Sequence, residues 1–159
     1  MRLTHFSKTS QKVILSGLIP AFAFLGSPLQ ANPKGGSVVK GAAKIKHLGP
    51  NTLQINQSSN RAVINWNSFS IEKGQTTKFV QPGRKAAVLN RVVTGDVSKI
   101  YGRLEGNGSV FVVNPNGVII GPSGVIDVAG SLTVSTLDID DDDFMIGGAN
   151  RFFGDTQTG

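Results

Sequence analysis

Cysteine is absent from all 159 residues, so neither disulfides nor thiolate metal sites can hold or equip this fold. Charge is sparse, at 16% of the chain, and there is one tryptophan and one tyrosine. Histidine is limited to His5 and His47. Acid–base catalysis near neutral pH draws most often on histidine, and His47, between Lys46 and Leu48, has no recognisable nucleophile context. It reads as structural or exposed. Also missing are a Gly-x-Ser-x-Gly elbow, a phosphate loop and a His-rich metal pattern. From Asn32 onward no window sustains a helical period. These gaps argue against an enzyme and imply no cofactor.

What is present begins with the layout of an export signal. Arg2, Lys8 and Lys12 precede an uncharged apolar core from Val13 to Leu25, and Pro28 then breaks the run before Leu29-Gln30-Ala31. The core is short beside the roughly 20 residues that a membrane span needs, so residues 1–31 read as a secretory signal peptide and 32–159 as the mature domain. Cleavage is expected after Ala31, with Ala23 as the other site and a retained anchor as the other reading. Removing the three leader bases leaves thirteen basic against ten acidic residues, a net charge of +3 in place of +6. Lys34, Lys40, Lys44 and Lys46 lack the interleaved aromatics of a stacking platform, so nucleic acid is not an expected partner.

Gly, at 20 residues, and the Val, Ile, Asn, Ser and Thr content favour strands and turns. Leu53 and Ile55 alternate with Gln54 and Asn56, Ile126 and Val128 with Val125 and Asp127, and Leu132 and Val134 with Ser131, Thr133 and Ser135. Period two with polar alternates marks half-buried strands. Turn residues recur at Gly49-Pro50-Asn51, Gln81-Pro82-Gly83, Gly106-Asn107-Gly108, Pro122-Ser123-Gly124 and Ala129-Gly130. This punctuation is faster than the turns about every 8–12 residues of a β-sandwich, and it fits a solenoid of short strands and corners. Val110-Phe111-Val112-Val113 and Val118-Ile119-Ile120 are apolar at successive positions, so both faces of both runs are expected to be covered, by an extra strand or hairpin outside the solenoid. Trp66, Phe69 and Phe79 are candidates to cap or cover.

Between those two runs lies Asn114-Pro115-Asn116-Gly117, with the residue order of a type I turn. Asp140-Asp141-Asp142-Asp143-Phe144-Met145 reads as a short helix capped by Asp138 or Asp140. As a calcium loop it lacks the alternating ligand positions and the glycine. Asp96 and Glu105 are the acids that a glycoside-cleaving pair would use, yet both lie beside turn glycines, where acids are common.

One ordered series of residues goes further. Ala87-Val88-Leu89-Asn90-Arg91-Val92-Val93-Thr94-Gly95 is followed by Ser98-Lys99-Ile100-Tyr101-Gly102-Arg103-Leu104. Next come Gly108-Ser109-Val110-Phe111-Val112-Val113-Asn114-Pro115-Asn116-Gly117-Val118, Gly121-Pro122, Ala129-Gly130-Ser131-Leu132 and Ser135-Thr136-Leu137-Asp138-Ile139. With Ile64-Asn65-Trp66-Asn67-Ser68-Phe69-Ser70-Ile71, the mature chain resembles the N-terminal secretion domain of two-partner secretion exoproteins, the filamentous-haemagglutinin and high-molecular-weight-adhesin family.

The resemblance implies an all-β fold, a right-handed parallel β-helix with an N-terminal cap and extra-helical strands. It also implies a secretion-recognition module that uses the general secretion machinery and then a TpsB-type outer-membrane β-barrel transporter with periplasmic POTRA domains. On that reading the exoprotein crosses the periplasm of a Gram-negative bacterium unfolded and folds coil by coil outside, secreted or at the cell surface. Asn114, Pro115, Asn116 and Gly117 correspond to the family's Asn-Pro-Asn-Gly motif, and Asn90 and Arg91 fall in another characteristic stretch. An additional Asn-Pro-Asn-Leu motif of some members is not found, which places the chain nearer the adhesin subgroup. Family exoproteins run on for many hundreds of residues, so these 159 are expected to be an N-terminal part, truncated within the solenoid, with host-cell or glycan ligands belonging to the region downstream. The competing readings are a β-helical polysaccharide-degrading enzyme and a fragment that itself binds glycans or self-associates.

Overall fold

The computed structural model describes residues 32–147 and 152–153, so the signal-peptide reading of residues 1–31 falls outside the described residues. The chain coils through short strands. β1 (Ser37–Lys40) and β2 (Ala43–His47) come first. β3 (Thr52–Gln57) and β4 (Arg61–Trp66) form the first coil, closed by a bridge from Ile71 to Ile100. β5 (Thr76–Val80), β6 (Ala87–Val92) and β7 (Ser98–Ile100) form the second. β8 (Arg103–Gly106), β9 (Ser109–Val113) and β10 (Val118–Ile120) form the third, and β11 (Val125–Val128) and β12 (Leu132–Ser135) begin the fourth. Each strand pairs in parallel with its counterpart one coil on, giving a β-solenoid of about four turns.

Parallel in-register pairing sets like positions over one another. Leu53 stacks on Thr77, Leu104 and Ile126; Ala62 on Val88, Val110 and Leu132; Ile71 on Ile100 and Ile120. The expected alternation in β3 holds, with Leu53 and Ile55 buried and Gln54 and Asn56 half-buried outside. Because the strands are short and the corners tight, a single file of aliphatic side chains from each wall fills the interior. Fully burying one such side chain contributes about 1.5–3 kcal/mol.

Three aromatic side chains, Trp66, Phe69 and Phe79, are inside with that file. Phe79 lies in register with Ile55 and Trp66 with Val92, and Trp66 meets Phe69 edge to face at 5.8 Å. Trp66, Phe69 and Phe79 are therefore core residues and not the cap or cover expected of them: Trp66 and Phe79 have the inward strand parity, and Phe69, in the connection after β4, is buried against Trp66. The cap is built from the backbone instead. β1 pairs antiparallel with β4, and β2 with β3, closing both sheet edges at the N-terminal end. At the bend between them Gly41 has φ +74, and a Cβ there would sit 2.2 Å from the Arg61 carbonyl oxygen.

Two-sided burial is present for β9 and absent for β10. Val110 and Val112 face the interior, while Phe111 and Val113 face an outer cluster. Ile119 and Ile120, by contrast, are 48% and 47% exposed. β10 pairs with β7 on one side, and among the described residues no further coil lies over it. Ile126 and Val134 take the expected inward positions in the last strands and stay open for the same reason.

The outer cluster lies under a cover formed by β13 (Asp138–Ile139), α1 (Asp141–Ile146) and β14 (Phe152–Phe153). Asp140 caps α1, its carboxylate accepting from the N–H groups of Asp142 and Asp143, and Gly147 ends it in the left-handed region at φ +80. Ile139 and Phe144 are buried against Val63, Ala87, Leu89 and Val113, and Phe144 meets Phe111 at 5.3 Å edge to face. β4 and β6 are thereby buried on both faces along part of their length, at Ala62–Ile64 and Ala87–Asn90.

Candidate recognition site

The Asn114–Gly117 corner follows β9 and is held from four directions. The Gly117 N–H donates to the Asn114 carbonyl at 2.9 Å, the i to i+3 bond of the expected turn. The Asn114 side-chain oxygen accepts from the Asn116 N–H at 3.0 Å, a local Asx turn. Its amide nitrogen donates to the Asp96 carbonyl at 2.8 Å and to the Ser98 hydroxyl at 2.9 Å, both on the preceding coil. The Asn116 amide donates to the Thr94 carbonyl at 2.8 Å. Gly117 has φ +104, a left-handed conformation that disfavours any Cβ, with nothing within 4 Å of where one would sit.

The corner is thus a clamp between coils. Asn114 is buried, while Pro115 and Asn116 are exposed. A column of contacts continues downward, since the Thr94 hydroxyl donates to the Asn67 carbonyl of the first coil. Thr94, Asp96 and Ser98 are partners that the sequence reading missed. The signal for Thr94 was a polar residue shortly after β4, β6 and β9 in successive coils, at Asn67, Thr94 and Asn116.

Asn90 and Arg91 lie one strand away, Arg91 in register with Val113 at the residue before the corner. Their side chains diverge. Asn90 points into the solenoid, fully buried, and its oxygen accepts from the Trp66 indole N–H at 3.0 Å while its amide donates to the Phe111 carbonyl at 3.1 Å. Arg91 points outward beneath the cover. Its Nε donates to Asp138 at 2.8 Å, and its Nη2 to the Ile139 carbonyl at 2.6 Å, with Asp141 also 2.8 Å from Nη2. Burial acts to lower the Arg91 pKa, but the hydrogen bonds and charges of Asp138 and Asp141 outweigh it and hold the guanidinium above its ordinary value. The structure brings the four corner residues together and assigns Asn90 and Arg91 to opposite faces of the sheet.

The other candidates separate. His47 is exposed on β2. Asp96 lines a polar hollow of about 560 Å³ with Lys34, Glu72 and Lys99 beside the corner. Glu105 lies on the outer face of another sheet, bridged to Asp127 through Arg103 and within 3.5 Å of Lys78. Asp96 and Glu105 line different hollows, and Glu105 and Asp127 are each matched by a cation. Asp138, Asp141 and Asp142 face Arg91 and Lys40, and Asp140 is committed to its cap. Their chemistry is that of anchors.

Residues 29–158 match the family described as the TPS secretion domain. Two heme/hemopexin-binding proteins of Haemophilus influenzae are 41% identical over 108 residues and 40% identical over 103. The matched parts cover 68% and 65% of this chain and 12% and 11% of those proteins, so the chain spans a small fraction of their length. Among solved structures, the crystal structure of the HMW1 secretion domain from Haemophilus influenzae is similar, with a TM-score of 0.68 and 37% identity over 72% of this chain and 30% of that one.

Proposed function

The chain belongs to the TPS secretion domain family, and on that premise we propose that it is read by the periplasmic POTRA domains of a cognate outer-membrane β-barrel transporter, with Asn114–Gly117, Asn90 and Arg91 as recognition residues. The observation that carries this reading is the match over residues 29–158, which includes all six. Asn90 has no accessible surface in the folded domain, and the Arg91 guanidinium is engaged by the cover. The transporter therefore meets both before the coils stack, and meets Pro115 and Asn116 in either state. Residues 1–31 address the chain to the inner-membrane export machinery, and the domain leads a longer exoprotein to the cell surface or the medium. Folding outside, coil on coil, buries apolar side chains that cannot slide back, which gives transport a direction without a nucleotide.

The test is export of an Asn116→Val variant from a cell that carries the transporter gene. Asn116 is exposed, and its substitution removes the bond to the Thr94 carbonyl. Secretion is expected to fall while the purified domain keeps its β-sheet spectrum. Undiminished export of a folded variant removes the corner from the recognition surface.

A further inference from the structure

A solenoid of stacked coils is tied together only by nearest neighbours, so its coils are free to unfold one after another. This chain carries an element that breaks that rule. The cover runs across the strands of one sheet, and its partners come one from each level. Asp142 is 3.2 Å from Lys40 of the cap strand β1. The Phe144 carbonyl accepts from Arg61 of the first coil at 2.8 Å, and the Arg61 guanidinium lies over the Phe144 ring at 5.0 Å. Asp138, the Ile139 carbonyl and Asp141 hold Arg91 of the second coil. The Phe144 ring packs on Phe111 of the third.

We propose that residues 138–147 act as a strap whose docking converts the separate coils and cap into one cooperative unit. Arg61 and Arg91 sit on outward positions of parallel strands in register, and Lys40 follows the register shift in antiparallel β1, so the strap can seat only when β1, β4, β6 and β9 are correctly aligned. A slip by one residue would turn Arg91 inward and Asn90 outward. The strap is also last in chain order among these elements, so it seats on a finished surface and closes it.

The prediction is read by urea unfolding followed with two probes. Trp66, the single tryptophan, reports on the first coil, and far-UV circular dichroism reports on all of them. In the unmodified chain the two curves are expected to coincide. In Phe144→Ala, and separately in the Asp138→Asn/Asp141→Asn double variant, the dichroism curve is expected to lead the Trp66 curve by about 0.5 M urea or more, with a shallower slope, because less surface is exposed in each step. Coincident curves of unchanged slope in both variants, merely displaced to lower urea, would reduce the strap to a local contact and overturn the proposal. So would separate curves in the unmodified chain. Where Phe144→Ala fails to fold, the double variant, which removes charge with little volume, decides.

Discussion

The buried amide–indole contact between Asn90 and Trp66 allows a quantitative test of whether Asn90 is a structural part of the folded domain. In Asn90→Leu the Trp66 indole N–H, at 1% exposure, loses its acceptor, and the Phe111 carbonyl loses a donor. Leaving a buried donor unsatisfied costs about 1–3 kcal/mol, while the added apolar burial of leucine returns part of this. A net loss of about 2 kcal/mol is expected, a sizeable part of a domain stability on the order of 5–15 kcal/mol. Trp66→Phe orphans the Asn90 oxygen in the reverse sense and also removes ring volume, for a loss of roughly 2–4 kcal/mol. In the double variant the indole N–H and the Asn90 oxygen are both gone, so neither is orphaned, and the donor lost to the Phe111 carbonyl is common to Asn90→Leu and the double variant and cancels. Its loss should be smaller than the sum of the two by about 1–3 kcal/mol. The assay is urea unfolding by far-UV circular dichroism on all four proteins, with constant slope as the check on a common unfolding reaction. Losses that add to within about 0.5 kcal/mol would refute the claim that this pair exists to satisfy itself in the core.

Two glycines give opposite expectations for the same substitution. A Cβ on Gly102 would sit 2.3 Å from the Glu72 carbonyl oxygen and 2.5 Å from that of Gln75, so Gly102→Ala should force coils apart and cost roughly 3 kcal/mol or more. Gly117→Ala meets no neighbour and pays only for φ +104, about 1–2 kcal/mol; equal melting-temperature shifts for the two would contradict this. Glu105→Gln removes a partly exposed carboxylate from the ladder with Lys78 and Arg103 and should change stability by less than about 1 kcal/mol. A melting shift corresponding to several kcal/mol would show that the ladder supports the sheet.

The solenoid was legible because it is a local code. Alternation at Leu53–Asn56 and the closely spaced turn residues need no knowledge of the rest of the fold. The corner was legible for the same reason, since the Asn114 to Gly117 bond and the Asx turn join residues within four of each other. What escaped was set by neighbours distant along the chain. Whether Ile120 is buried depends on whether a coil lies over it, and Arg91 finds Asp138 47 residues away. The aromatic residues misled because a place in the earlier, less regular half of the chain suggests a cap or cover, whereas strand parity directs Trp66 and Phe79 inward. Asn90 was singled out by family likeness, and no sequence signal tells that its amide answers an indole in the core.

The antiparallel cap gives the molecule a polarity that its repeated coils do not have. At the first level β1 and β2 have already taken the hydrogen-bonding edges of β4 and β3, so that end is a blocked primer. At the other, among the described residues, β10, β11 and β12 end their sheets with Ile120, Ile126 and Val134 uncovered. The domain is a template with one growing end, and any strand that lengthens it must be added there.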